Sequence, residues 1–266
     1  MVSVLMPNYN CEKYLSEAIE SILKQSFTEF EFIIVDDGSS DDSWAIIQKY
    51  MEKDKRITAI RNGKNLWISW NRNKLLGLAT WKYIVWQDSD DISLSNRIKL
   101  QYEYMESHPE VWICWWGLQF FDETWDTSQR LYAESDTEIR KTIFRYSPVA
   151  LPSSIMLREA IIKVGWFIKW LDVSEDLHLS FRLWKTYKFG NIQSILLKYR
   201  ENWNSATFKN LKKMELETIK IRWNNNKTEH YSMTLWDKIY NLLQYISIYI
   251  IPTKLKIKLF NFIRNS

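Results

Sequence analysis

An α/β fold with a mostly parallel central sheet flanked by helices follows from three observations. Short apolar runs alternate with segments of helical period through the first hundred residues. Two acidic clusters, Asp36-Asp37 and Asp88-Ser89-Asp90-Asp91, each follow directly on an apolar run. The chain has 266 residues, enough for one large domain with an appendage and a substantial core. Strand–helix alternation at this spacing implies parallel strands covered on both faces. Ligands bind such sheets beyond the carboxyl ends of the strands, so both acidic clusters are expected to share one crevice.

The elements read in order. Val2–Met6 is an apolar strand. Glu12–Gln25 repeats apolar residues at Leu15, Ala18, Ile19, Ile22 and Leu23, a helical period. Phe30–Val35 is a strand, Ser43–Tyr50 a helix, Ile57–Arg61 a strand, Asn71–Leu78 a helix and Tyr83–Trp86 a strand. Farther on, Ser95–Ser107 reads as helix, Val111–Phe121 as strand, Thr137–Tyr146 as helix and Ser153–Leu157 as strand. Arg158–Val164 is a short helix before Gly165, Val173–Lys185 a helix opening on Ser174-Glu175-Asp176, and Ile192–Tyr199 a strand.

The tail from Phe208 differs in kind. Ile239–Ile251 is almost wholly apolar or aromatic, Pro252 interrupts, and Thr253–Arg264 alternates apolar with basic residues. Residues 207–266 carry 11 Lys/Arg against 4 Asp/Glu, whereas the rest of the chain carries 25 against 28. The net charge of +4 therefore belongs to the tail. Its apolar run falls short of the ~20 residues that span a bilayer. The pattern suits helices lying in an anionic membrane surface; an ordinary helical hairpin is the alternative. The expected domains are 1–206 and a basic, aromatic helical extension at 207–266.

Composition excludes other classes. No basic motif of a nucleic-acid-binding module is present. Cys11 and Cys114 form no CxxC pair, which argues against a disulfide framework or a zinc site. The opening Met1-Val2-Ser3-Val4 has no basic region or cleavage site and reads as the first strand rather than a signal peptide. His108, His178 and His230 share no ligand spacing.

One oddity stands out. There are 15 Trp and 6 Gly, where average usage of ~7 % gives about 19 glycines. Several tryptophans stand where a turn or close approach wants glycine: Trp67, Trp81, Trp115, Trp116 and Trp203. The reading is that many are glycine codons (UGA) translated as tryptophan. Trp86, Trp170 and Trp223 look least like glycine sites.

Clustered carboxylates repel one another and need a cation or donors. Oxygen-rich sites of this kind suit Mg²⁺ or Mn²⁺ bound together with substrate phosphates. Taken in order, Val4-Leu5-Met6-Pro7-Asn8-Tyr9-Asn10, Ile33-Ile34-Val35-Asp36-Asp37-Gly38-Ser39, Tyr83-Ile84-Val85-Trp86-Gln87-Asp88-Ser89-Asp90-Asp91 and Glu175-Asp176-Leu177 resemble the family-2 glycosyltransferases of the GT-A fold over roughly residues 1–205.

That resemblance implies the following roles. Asp37 would hydrogen-bond the donor base, usually uracil, with Pro7 and Tyr9 lining the base and ribose pocket. Asp90 and Asp91 would be the ribose-and-metal pair, with Asp91 the direct ligand and Asp88 nearby. Arg72 would reach the donor phosphates or sugar, and Arg200 is a weaker candidate for the diphosphate. Asp176 would be the general base, oriented by Glu175. The implied reaction is inverting transfer from a nucleotide-sugar, UDP-linked, to a hydroxyl of a cell-surface or lipid-linked glycan. It would run on the cytoplasmic face of the cell membrane. Family members carry glycine near positions 67 and 81, where Trp67 and Trp81 stand. The alternatives are a non-catalytic nucleotide-sugar-binding protein of the same fold and a sugar-phosphate nucleotidyltransferase. The latter lacks its usual Gly-rich loop, since Asn8-Tyr9-Asn10-Cys11-Glu12 stands there.

Overall fold

The computed structural model describes all residues except 123–125, 148–149, 202–208, 228–230, 253–254 and 257–266. Trp203, His230 and most of the stretch 253–264 singled out above lie outside the described residues.

The first half follows the sequence pattern. Strands β1 (Val2–Asn8), β2 (Phe30–Asp36), β3 (Ile57–Arg61) and β4 (Tyr83–Trp86) alternate with helices α1 (Glu12–Leu23), α2 (Ser43–Lys53) and α3 (Ile68–Leu78). All pairs among these strands are parallel. β1 is buried along its whole length because helices cover both of its faces. Side chains alternate across it: Val2, Val4 and Met6 enter one core cluster and Leu5 the other.

Beyond β4 the sheet becomes mixed. β5 (Ile92–Ser93), α4 (Arg97–Ser107), β6 (Val111–Phe121), β7 (Asp126–Arg130), α5 (Asp136–Thr142), β8 (Ile155–Leu157), α6 (Arg158–Lys163), α7 (Glu175–Leu183) and β9 (Lys188–Arg200) follow, with a 3₁₀ turn at Leu151–Ser153. The strand order is β3-β2-β1-β4-β8-β6-β9-β5, with β7 on β6. β8 inserts antiparallel between β4 and β6, while β9 runs parallel to β6. The two-residue β5 and the polar β7 carry no apolar pattern, which is why periodicity misses them.

Two helices follow, α8 (Leu211–Asn224) and α9 (Leu235–Ile250). Ile221 of α8, with Tyr231 and Met233 of the linker, joins the core cluster that holds α7. α9 opens on a capping box: Thr234 Oγ1 accepts from Asp237 N, and Asp237 accepts from Thr234 N.

Among the described residues two tryptophans have positive φ, Trp67 (φ 70°) and Trp166 (φ 62°). Trp115 and Trp116 lie in β6 and face opposite cores, fully buried, with indole N–H groups that find no partner. Trp81 is not at positive φ. Trp86 packs edge-on against Phe167, as an integral core side chain does.

Candidate active site

The carboxyl ends of β1, β2 and β4 bring the acids to one edge of the sheet, because parallel strands all end on the same side. Asp37 follows β2 and is nearly fully buried. Its Oδ1 accepts from Asn62 Nδ2 (2.8 Å) and Leu66 N (2.9 Å), and its Oδ2 from Trp67 N (3.1 Å). Asp37 thus ties the β3–α3 connection to the end of β2. Asn62 also donates to Asn71 Oδ1 at 2.7 Å, which links Asp37 to the helix that carries Arg72. Pro7 is buried in β1, and the Tyr9 ring beside it is open to solvent.

Arg72 points from α3 to α7. Its Nη1 lies 2.7 Å from Glu175 Oε1, both side chains nearly buried. The guanidinium also sits 5.6 Å from the ring centroids of Trp86 and Phe167. Asn73 fixes the same contact region: its Nδ2 donates to Phe167 O and its Oδ1 accepts from Phe167 N. The start of α7 is set from the other side. Ser174 (φ 56°) hydrogen-bonds Thr218 of α8 at 2.9 Å and donates to Met214 O at 3.2 Å. Asp176 Oδ1 then accepts from Leu177 N.

After β4, the acidic turn rests on a fully buried arginine. Arg97 donates to Trp86 O, Pro152 O, Gln87 Oε1 and Ser93 Oγ. Desolvation lowers its pKa to about 9, opposed by the charges of Asp91 and Asp88. Asp91 is 1 % exposed; its Oδ1 accepts from Arg200 N at 2.9 Å and its Oδ2 has no partner. Asp88 and Asp90 are only half-buried. Arg200 completes this corner, donating to Asp90 O at 2.9 Å and pairing with Glu17 at 2.6 Å.

These acids hold one another up in pKa. Burial and the neighbouring Asp88 push Asp90 up to about 6. Burial, then Asp90 and Asp88, raises Asp91 well above the usual carboxylate range. Burial raises Asp88 against the opposing charge of Arg72, with Asp176 adding repulsion. Burial raises Asp176 too, again opposed by Arg72. Arg72, paired with Glu175 and 5.6 Å from the Trp86 ring centroid, brings the α7 N-terminus to the end of β4 at one locus. Glu175 and Arg72 belong to that locus, and Asp37 joins it through the Asn62–Asn71 bonds.

Sequence reasoning missed Asn8, Asn62 and Arg97. Asn8 donates to Asp36 Oδ1 (2.8 Å) and leaves its own Oδ1 buried and unpartnered. Each lies beside a strand end or the acidic turn, and a polar residue at such a place was the available signal. Cys11 and Cys114 are free; burial raises the Cys11 thiol to about 12, which disfavours its thiolate.

Among the described residues no group of three or more His, Cys, Asp or Glu is placed to hold a metal ion. Asp91 Oδ2 is nonetheless buried without a partner, and burial, with Asp90 and Asp88 adding repulsion, raises the Asp91 carboxyl. A carboxylate so placed suits a divalent cation that takes most of its ligands from a substrate and water.

The fold is that of the GT-A glycosyltransferases. Staphylococcus aureus TarS (residues 1–349, in complex with UDP) matches with a TM-score of 0.69 at 19 % identity, covering 95 % of this chain and 73 % of that one. The chain belongs to glycosyl transferase family 2, whose model matches residues 3–166. An uncharacterized glycosyltransferase of Methanocaldococcus jannaschii, MJ1057, is 35 % identical over 262 residues, 95 % of this chain and 90 % of the relative. The Escherichia coli UDP-Glc:alpha-D-GlcNAc-diphosphoundecaprenol beta-1,3-glucosyltransferase WfaP is 38 % identical over 107 residues, 40 % of this chain and 42 % of the relative. This protein is a family 2 glycosyltransferase.

Proposed function

We propose that the enzyme transfers a sugar from a UDP-sugar to a hydroxyl of a lipid-carried glycan, with inversion at the anomeric carbon. The observation that carries this reading is Arg72, which pairs with Glu175 at the start of α7 (2.7 Å) and lies 5.6 Å from the Trp86 ring centroid at the end of β4. On this reading the acids after β4 serve the diphosphate and Asp176 the acceptor hydroxyl. The names of the E. coli relative and of the UDP-bound S. aureus structure support the donor and acceptor classes.

In this mechanism Asp176 takes the proton of the acceptor hydroxyl as that oxygen attacks the anomeric carbon from the face opposite the nucleotide. Its pKa, raised by burial, lies nearer neutrality than a free carboxylate's, which improves it as a base. Glu175, held by Arg72, fixes the first turn of α7 and so the direction of Asp176. Pro7, Tyr9 and Asp37 border the nucleoside, with Asp37 shaping the pocket through the loop it ties down. Arg72 offers the donor a positive charge.

A divalent cation, Mg²⁺ or Mn²⁺, would be held by Asp91 with Asp88 nearby, and would supply charge neutralisation at the leaving diphosphate. Asp90 would serve the ribose. Residues 207–266 would form the extension that keeps the enzyme on the inner face of the cell membrane, near its acceptor. Trp67 and Trp166 stand at glycine-like backbone positions, which supports the reading that glycine is the residue intended by the gene.

The test is a donor screen by UDP release, using protein made with glycine at the suspect tryptophans. UDP release from a UDP-sugar that depends on an added glycolipid acceptor supports the reading. Binding without turnover for every donor would favour a non-catalytic nucleotide-sugar-binding protein.

A further inference from the structure

Helix α9 is inside out. Its inward stripe is Asp237, Asn241, Gln244 and Ile248, spaced at three or four residues, and the two members buried outright, Asp237 and Asn241, are polar. Each polar member of that stripe faces a protein partner. Asp237 lies 2.9 Å from Arg145 Nε, Asn241 donates to Phe144 O at 2.8 Å, and Arg222 donates to Gln244 Oε1 at 2.9 Å. The outward face carries Leu235 (73 % exposed), Leu243 (60 %) and Ile250 (72 %), with Ile239, Leu242, Ile246 and Tyr249 between them. A helix at a water surface arranges these classes the other way round. A continuous apolar face of this kind marks an interaction surface.

We propose that this face lies in the surface of an anionic lipid bilayer, which deepens the reading of a lipid-carried acceptor by naming the surface and the lipid charge. The length decides between spanning and lying flat. Sixteen residues rise about 24 Å, short of the ~30 Å hydrocarbon core. No described helix is long and apolar enough to cross. Charge favours lipid over a second copy of the chain: residues 207–266 carry 11 basic against 4 acidic side chains, a balance that an anionic surface attracts. Lys212 marks the rim, its Nζ 4.7 Å from the Tyr249 ring centroid. An amine beside an exposed aromatic is how a helix edge meets headgroups. The connection to the chemistry is short: α9 packs on α8, and α8 holds Ser174 at the start of α7. The face therefore sits two helices from Asp176.

The test is co-sedimentation of the full chain with phosphatidylcholine vesicles, with and without one quarter phosphatidylglycerol. The expected result is binding to the anionic vesicles only, weakened by salt. It should fall at least tenfold in the double variant Leu243→Glu, Ile246→Glu. Both sites are exposed, and a thermal melt verifies folding. UDP release to a soluble acceptor, measured on the same preparations, should not change; its loss in wild type and variant alike would sink the catalytic reading and leave the surface standing. No vesicle binding, or binding indifferent to the two substitutions, overturns the proposal. So does a solution dimer that these substitutions dissolve.

Discussion

Arg72 Nη1 lies 2.7 Å from Glu175 Oε1, joining α3 of the parallel half to α7 of the mixed half. Burial raises Glu175 to about 7 even against the opposing charge of Arg72, with Asp176 and Asp88 adding repulsion. A carboxyl whose folded pKa exceeds its unfolded value binds more protons when folded. Its stabilising contribution is complete below the unfolded value, about 4.3, and is lost as pH rises through about 7. Ligand-free protein should therefore lose Tm between about pH 5 and 8, and Glu175→Gln should flatten that slope. Equal slopes for the two proteins would show that Glu175 does not titrate in this window.

Asp176→Asn should lower kcat about 10²–10⁴-fold, the usual worth of a positioned base, while UDP affinity measured by calorimetry stays the same. Because burial raises Asp176, the acid limb of the wild-type kcat profile should lie above the ordinary aspartate value of about 3.9. A variant that retains full turnover would remove Asp176 from the mechanism.

Chelation should reduce UDP-sugar binding at least tenfold, and Mg²⁺ or Mn²⁺ should restore it. Asp91→Ala should abolish the metal-dependent part. That side chain also accepts from Arg200 N, so Asp88→Asn, at a half-buried site, separates metal loss from damage to β9. Binding that is indifferent to chelation would assign the acids to the ribose and the fold alone.

Trp67→Gly and Trp166→Gly should each stabilise the protein by ~1 kcal/mol, since a side chain in the left-handed region costs about 1–2 kcal/mol per residue. Urea unfolding measures this. A loss of stability, or UGG codons at both positions in the gene, would end the recoding reading.

The parallel half was legible because each of its strands is a short apolar run followed by a polar turn, from Val2 to Trp86. Asp37, Asp88, Asp90, Asp91 and Asp176 were picked out by ordered motifs, which survive where periodicity fails. Other features were not readable. The two oxygens of Asp37 take three donors from the β3–α3 side, contacts that no local pattern encodes. Arg97 looked like any surface charge of an amphipathic helix; its burial comes from Pro152 O, 55 residues away. β7 reads Asp-Thr-Ser-Gln-Arg, a strand by pairing rather than by composition. The tail was legible as apolar and basic, but which side of α9 would face the protein was set by Arg145 and Arg222, far off in sequence.

The antiparallel insertion of β8 between β4 and β6 has an evolutionary corollary. The strands up to β4 form the parallel half, and the proposed base stands at the head of α7, after the sheet has turned mixed. Both core clusters cross that boundary. On the proposed mechanism, lineages can remodel the head of α7 to serve new glycans only where that shared packing survives, with the Tyr83–Val85 register against β8 as the line along which the halves must go on fitting.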